Sequence, residues 1–94
     1  MNEIFTLYIL KSEKVDKFYT GHTNNLERRF SEHNSGQTKS TKPFVPWKIV
    51  FTKEFTSKIN AFNAELFLKK KKSKIFIEKL IKGEVDLPVA RPDL

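Results

Sequence analysis

Ninety-four residues limit the chain to one small domain, since folded units of this size bury only about 60–70% of their unfolded surface around a single core. Apolar residues make up 38% of it, with nine Phe, one Trp and two Tyr, which suffices for a core and excludes disorder throughout. Eighteen Lys and Arg against eleven Asp and Glu give a net charge of +7 and a pI near 9.7, so polyanions are the expected partners, nucleic acid first; the absence of Cys excludes a disulfide framework and a Cys-based zinc site.

After Met1-Asn2-Glu3, the run Ile4 to Leu10 is too short to span a bilayer and lacks the basic flank of a signal peptide. The chain therefore reads as soluble and cytoplasmic, with no membrane partner. The run itself, Ile4-Phe5-Thr6-Leu7-Tyr8-Ile9-Leu10, predicts a strand apolar on both faces and hence central. Lys17 to His22 predicts a second strand, close enough for a hairpin. A turn centred on Glu13-Lys14 sets Tyr8 opposite Tyr19, both phenols on one face, whereas a turn shifted by one residue pairs Tyr8 with Thr20.

Asn24 followed by Glu27 resembles a capping box and Asn34-Ser35-Gly36 a helix stop, so a helix is expected over 24–34, with Leu26, Arg29, Phe30 and His33 on one side. Residues 36–46 read as a mobile surface loop. Trp47 to Phe55 forms a third strand, and Thr56 or Ser57 caps a long helix whose core-like stretch is Ala61 to Leu68. Lys69 to Lys72 are a basic run, Ser73 can recap the chain, and Phe76, Ile77, Leu80 and Ile81 keep helical spacing until Gly83, as one bent helix or two. The domain is read as 1–83 and a loosely held tail as 84–94. Net charge is +3 over residues 1–50, +6 over 51–83 and −2 in the tail, which concentrates the basic surface in the second half of the fold.

The order β-β-α-β-α-α gives an α+β unit with a small antiparallel sheet. Two features point beyond a basic globular domain. Tyr8 interrupts an otherwise aliphatic strand, and Tyr19 precedes Gly21, a strand glycine that marks a close approach by another backbone or a ligand and could admit a phosphate. Taken in order, Tyr8-Ile9-Leu10, Tyr19-Thr20-Gly21, Leu26-Glu27-Arg28-Arg29-Phe30, His33 and Glu65 resemble the GIY-YIG nuclease superfamily, above all its small single-domain bacterial members, over roughly residues 4–82. Thr20 stands where the family name has its second Ile, and no Asn follows Glu65, where many members carry one.

The resemblance implies a three-stranded antiparallel sheet flanked by helices and a metal-dependent endonuclease acting on DNA. Carried over by position, it makes Tyr8, Tyr19, Arg29, His33 and Glu65 catalytic, with Glu65 holding one Mg²⁺ or Mn²⁺. A planar guanidinium such as Arg29 matches phosphate oxygens better than Lys does, and a phenol serves as a base only where nearby positive charge lowers its pKa; Tyr8 is favoured for proton transfer and Tyr19 for orienting water or phosphate. Gly21, His22, Arg28, Lys69, Lys70 and Lys72 are the expected nucleic-acid contacts. DNA is expected before RNA, with weak sequence specificity and some preference for substrate structure. The sequence does not separate DNA repair from mobile-element or phage-defence roles, nor does it give an oligomeric state.

Plainer readings stand beside these. Tyr8 could be an ordinary strand aromatic, His33 a C-terminal helix charge, His22 a solvated strand end, and Glu65 half of an i,i+4 pair with Lys69. Phe44 and Trp47 are read as core before base-stacking residues. The alternative function is a non-catalytic nucleic-acid-binding module that keeps the nuclease fold.

Overall fold

Leu7, Tyr8, Ile9 and Leu10 are at most 1% exposed, four consecutive residues withdrawn from solvent on both sides of one strand. The computed structural model describes residues 3–87 and places this strand, β1 (Phe5–Ser12), between β2 (Phe18–Thr23) and β3 (Trp47–Phe55) in an antiparallel sheet of order β2-β1-β3. Side chains alternate across a strand, so the two faces bury different sets. Leu7 and Ile9 pack with Phe55, Ala61, Ala64, Leu68 and Leu80 beneath the helices α2 (Lys58–Lys71) and α3 (Lys74–Ile81). Tyr8 and Leu10 pack with Trp47, Tyr19 and Phe30 beneath α1 (Leu26–Asn34) and the segment that follows it. Each fully buried aliphatic side chain of β1 contributes about 1.5–3 kcal/mol. The expected α+β order and central first strand are both present.

The hairpin register differs from the expected one. Ser12 Oγ accepts from the amides of Lys14 (3.0 Å) and Val15 (3.1 Å) and donates to the Phe44 carbonyl (2.7 Å). Ser12 N donates to the Lys17 carbonyl at 2.9 Å, which closes a loop of four residues instead of a two-residue turn. Tyr8 therefore lies opposite Gly21 and Tyr19 opposite Leu10. A shift of two positions preserves the face, so both phenols still lie on the same side of the sheet.

Helix caps refine the other boundaries. Asn25, and not Asn24, caps α1, accepting from Arg28 N at 3.1 Å, while Asn24 bonds Glu3. Ser57 caps α2 and Ser73 caps α3, with Lys72 left-handed (φ 49°) between them, so the C-terminal helical region is two helices. The segment 36–46 is not a free loop. It contains a 3-10 turn (Lys42–Phe44) and buries Thr41, and Asn34 holds its far end by accepting from Trp47 N at 2.6 Å and donating to Trp47 O at 3.0 Å. The region read as tail from Glu84 returns to the core at Leu87, 3% exposed, with Val85 packed beside it; residues 88–94 of that tail lie outside the described residues.

Gly21 answers a packing demand. A Cβ at this position would sit 2.5 Å from Tyr8 Oη and 2.7 Å from Cζ, so the phenol occupies the space that the missing side chain leaves. The expectation that Gly21 opens toward a phosphate is thus corrected: it is buried under Tyr8. Gly21→Ala should cost about 1–3 kcal/mol of stability in urea unfolding, in the range for overpacked cores. That loss should shrink when Tyr8→Leu removes the obstructing ring; equal losses in both backgrounds would show that the ring is not the cause.

Candidate active site

Tyr8 projects from the middle of the sheet toward the last turn of α1, where His33 is fully buried. Tyr8 Oη lies 3.0 Å from His33 Nε2, and His33 Nδ1 lies 2.9 Å from Thr41 Oγ1. Tyr19, displaced two positions along the neighbouring strand, stacks tilted beside them, its ring centre 4.8 Å from that of His33 and 6.4 Å from that of Tyr8. One turn before His33, Arg29 donates from Nη1 to Glu32 Oε1 (3.0 Å) and to Thr38 Oγ1 (3.4 Å).

A second cluster forms where α2 crosses the outer strand β2. His22 Nδ1 donates to Glu65 Oε1 at 2.6 Å, and Lys69 Nζ approaches Glu65 Oε2 at 2.5 Å while lying 6.0 Å above the centre of the Tyr19 ring. Lys69 thereby links the two clusters. Beside them an open cleft of about 360 Å³ is lined by His22, Arg28, Arg29, Glu32 and Lys58, among others. Lys70 and Lys72 are exposed at the C-terminal end of α2.

Burial drives the titration behaviour. The Tyr8 phenol is pushed up to about 12, by desolvation first, then by Tyr19 and Glu65, with the Arg29 guanidinium opposing the rise. This corrects the expectation of a phenol lowered by basic surroundings. Desolvation, reinforced by the positive charge of Arg29, lowers His33 to about 4, so its imidazole is neutral near pH 7. Desolvation works against charge on Arg29 too, but the Glu32 hydrogen bond and the nearby phenols outweigh it and hold its pKa above the ordinary arginine value.

The five residues expected to be catalytic thus fall in two adjoining clusters, Tyr8, Tyr19, Arg29 and His33 between the sheet and α1, and Glu65 on α2 beside His22, with Lys69 between them and Arg28 at the cleft. Trp47 belongs to the core, 2% exposed, with Phe44 edge-on against it. Thr38, Thr41 and Glu32 escaped the sequence reading. Glu32 was accessible to it, since it lies three and four residues after Arg29 and Arg28 and pairs with both. Thr41 carried only a weak signal, a residue just before Lys42-Pro43, where proline favours the first turn of a helix.

Among the described residues no group of three or more His, Asp or Glu forms a metal cage. Glu32 is taken up by Arg28 and Arg29, and both oxygens of Glu65 face N–H donors that a cation could replace, Lys69 being long and half exposed. A single carboxylate suits Mg²⁺, which keeps several waters and takes few protein ligands.

Residues 4–80 match the GIY-YIG catalytic domain family. The chain belongs to this family. GIY-YIG domains are endonuclease domains that generally use a divalent metal, so nucleic acid is the class of partner. The chain is similar to the UPF0213 protein CPE1444 of Clostridium perfringens, with 40% identity over 83 residues that cover 83% of this chain and 88% of that one. It is also similar to the UPF0213 protein YazA of Bacillus subtilis, 37% identical over 75 residues, or 76% and 75% of the two chains. The solution NMR structure of the UPF0213 protein BH0048 from Bacillus halodurans superposes with a TM-score of 0.55 at 32% identity, covering 86% of this chain and 85% of that one. The GIY-YIG sheet with its flanking helices is thus shared with a solved relative. No helix among the described residues is long and apolar enough to cross a membrane.

The buried imidazole sets a pH dependence for this GIY-YIG domain. Unfolded, a histidine titrates near 6.5, whereas His33 in the fold titrates near 4. Between these values the unfolded chain holds a proton that the folded chain lacks, so the contribution is complete above about pH 6.5 and is lost as pH falls toward 4. Denaturant unfolding across this window should show a loss on the order of 3 kcal/mol that His33→Gln largely abolishes. Parallel losses in both proteins would place the titrating group elsewhere.

Proposed function

We propose that this chain is a metal-dependent endonuclease that hydrolyses phosphodiester bonds in DNA, selective for substrate structure more than for sequence. The observation that carries the reading is the Tyr8–His33 pair, a phenol 3.0 Å from an imidazole that is neutral near pH 7. In the reaction, the water oxygen attacks phosphorus and the bond to the departing alkoxide breaks. The water proton passes to Tyr8 Oη as the Tyr8 proton passes to His33 Nε2, and the alkoxide is protonated from solvent. With its pKa near 12, Tyr8 does not act as a standing phenolate, so the two transfers are concerted.

Tyr19, more open than Tyr8, orients the water or the phosphate. Arg29, kept charged by Glu32, offers its remaining donors to the non-bridging oxygens. Glu65 would hold one Mg²⁺ or Mn²⁺, which supplies neutralisation of phosphate charge when bound. On the same side of α2, Lys58, Phe62, Glu65 and Lys69 follow one another at helical spacing. Phe62 is 47% exposed and edge-on to His22, 6.1 Å between ring centres. Cations flanking an exposed aromatic suit a backbone whose neighbouring base is unstacked, which supports flap, branched or single-stranded sites over intact duplex.

One observation favours a second reading, a binding module without catalysis: both Glu65 oxygens are already engaged, by His22 and Lys69. Plasmid nicking separates the two. Wild type should nick with Mg²⁺ or Mn²⁺ and stop on chelation. Glu65→Ala and Arg29→Ala should each lower the rate about 10²-fold or more, at unchanged circular dichroism and with DNA affinity within about threefold. If Glu65→Ala matches wild type while still binding DNA, the binding module is correct.

A further inference from the structure

The segment between α1 and β3 delivers a buried hydroxyl to the site histidine. Thr41 is 1% exposed and fixed from several directions. Its Oγ1 lies 2.9 Å from His33 Nδ1 and donates to the Thr38 carbonyl at 3.3 Å. Its amide donates to the same carbonyl at 3.1 Å, and its own carbonyl accepts from Trp47 Nε1 at 3.0 Å. The hydroxyl cannot rotate away without breaking a contact.

The direction in which the Thr41 hydroxyl donates sets the state of the imidazole. A threonine hydroxyl has one proton; with it on the Thr38 carbonyl, which also accepts from the amides of Thr41 (3.1 Å) and Lys42 (2.9 Å), Oγ1 presents a lone pair to the ring. In that arrangement His33 Nδ1 carries the ring hydrogen, and Nε2 is a bare acceptor toward Tyr8. The other side of the pair agrees. With the opposite tautomer, Nε2–H would donate to Tyr8 Oη and turn the phenolic proton toward the Arg29 guanidinium, a positive group placed near that oxygen. Both ends of the chain of hydrogen bonds select the same direction of donation, Tyr8 to His33 to Thr41 to Thr38.

We propose that Thr41 is a positioning residue for phosphodiester hydrolysis, holding His33 in its Nδ1–H tautomer so that Nε2 stays open to the Tyr8 proton. The catalytic half of this proposal rests on the endonuclease reading above, whereas the tautomer does not. The orienting group is a neutral hydroxyl, so the ring is aimed without being given an opposite charge that would favour the imidazolium at rest. Thr38 serves both ends of the site, because its carbonyl takes the Thr41 proton while its hydroxyl accepts from Arg29.

The test pairs nitrogen NMR of the imidazoles with nicking rates, using the full chain. The chain has two histidines, so a His22→Gln variant assigns the His33 signals. At pH 7 wild type should show His33 protonated on Nδ1 and bare on Nε2, and Thr41→Ser should keep both that pattern and the rate. Thr41→Val, which has the same shape without the hydroxyl, should mix or reverse the tautomer and lower kcat about 10²-fold, the lower end of general-base contributions, with KM unchanged. If Thr41→Val fails to fold, Thr41→Ala carries the same expectation. A wild-type His33 protonated on Nε2 overturns the assignment outright, as does a folded Thr41→Val with unaltered tautomer and rate. A wild type with the expected tautomer and no nuclease activity overturns the endonuclease reading and with it the catalytic role of Thr41.

Discussion

The phenol of Tyr8 lies across the backbone of Gly21 and ends on a buried imidazole, and the geometry of the whole site follows from that one placement. It requires β1 and β2 in a single register, because only the residue opposite Tyr8 must lack a side chain. It requires α1 to dock with His33 inward, and it requires the segment after α1 to fold back and satisfy the second ring nitrogen. A buried polar group left without a partner costs about 1–3 kcal/mol, so each of these elements is held to the others by the penalty for leaving a member of the chain unsatisfied. Among the described residues no buried side-chain nitrogen or oxygen lacks a partner, so the network closes.

Hydrogen bonding at the site is arranged by sharing each acid between two N–H donors. Glu32 serves Arg28 and Arg29, and Glu65 serves His22 and Lys69. Each carboxylate fixes the direction of its donors in a chain of net charge +7. The cleft thus presents a guanidinium that is already oriented and already charged, so an anion bound there would spend little binding energy on ordering Arg29. The interior of the site is organised differently, by desolvation, which keeps Tyr8 and His33 neutral. Two polar environments, one wet and charged and one dry and neutral, thus meet at the β2 edge.

Much of this arrangement was legible in the residue order, and what was not has identifiable causes. The central position of β1 followed from four apolar or aromatic residues in succession, and the shared face of the tyrosines survived a wrong register because the error was two positions. The register itself depended on Ser12, whose hydroxyl binds two turn amides; a serine at the start of a polar stretch permits that turn without demanding it. Asn24 and Asn25 are equally good caps by type, and only the fold tells them apart. The lysine at position 72 takes a left-handed conformation that lysine does not advertise, so the split between α2 and α3 was open until seen. Thr41 was hidden for a deeper reason. A run of Thr, Ser, Lys and Pro reads as solvated, and a buried hydroxyl makes sense only once a partner from elsewhere in the chain is known.

The same hidden segment explains why so small a fold can hold a polar site without losing its core. The aliphatic core lies on the far face of the sheet under α2 and α3, while the aromatic and polar residues lie under α1, so the hydrophobic packing that stabilises the domain and the hydrogen bonds that shape the site occupy opposite sides of β1. Alternation along one strand achieves this separation: Leu7 and Ile9 face one way, Tyr8 and Leu10 the other. Trp47 joins the two functions, since its ring packs with Tyr8 and Leu10 while its indole N–H secures the carbonyl of Thr41. Core packing thereby sets the position of the hydroxyl that orients the histidine, and the reach of Tyr8 into the site is governed by the same contacts that fold the sheet.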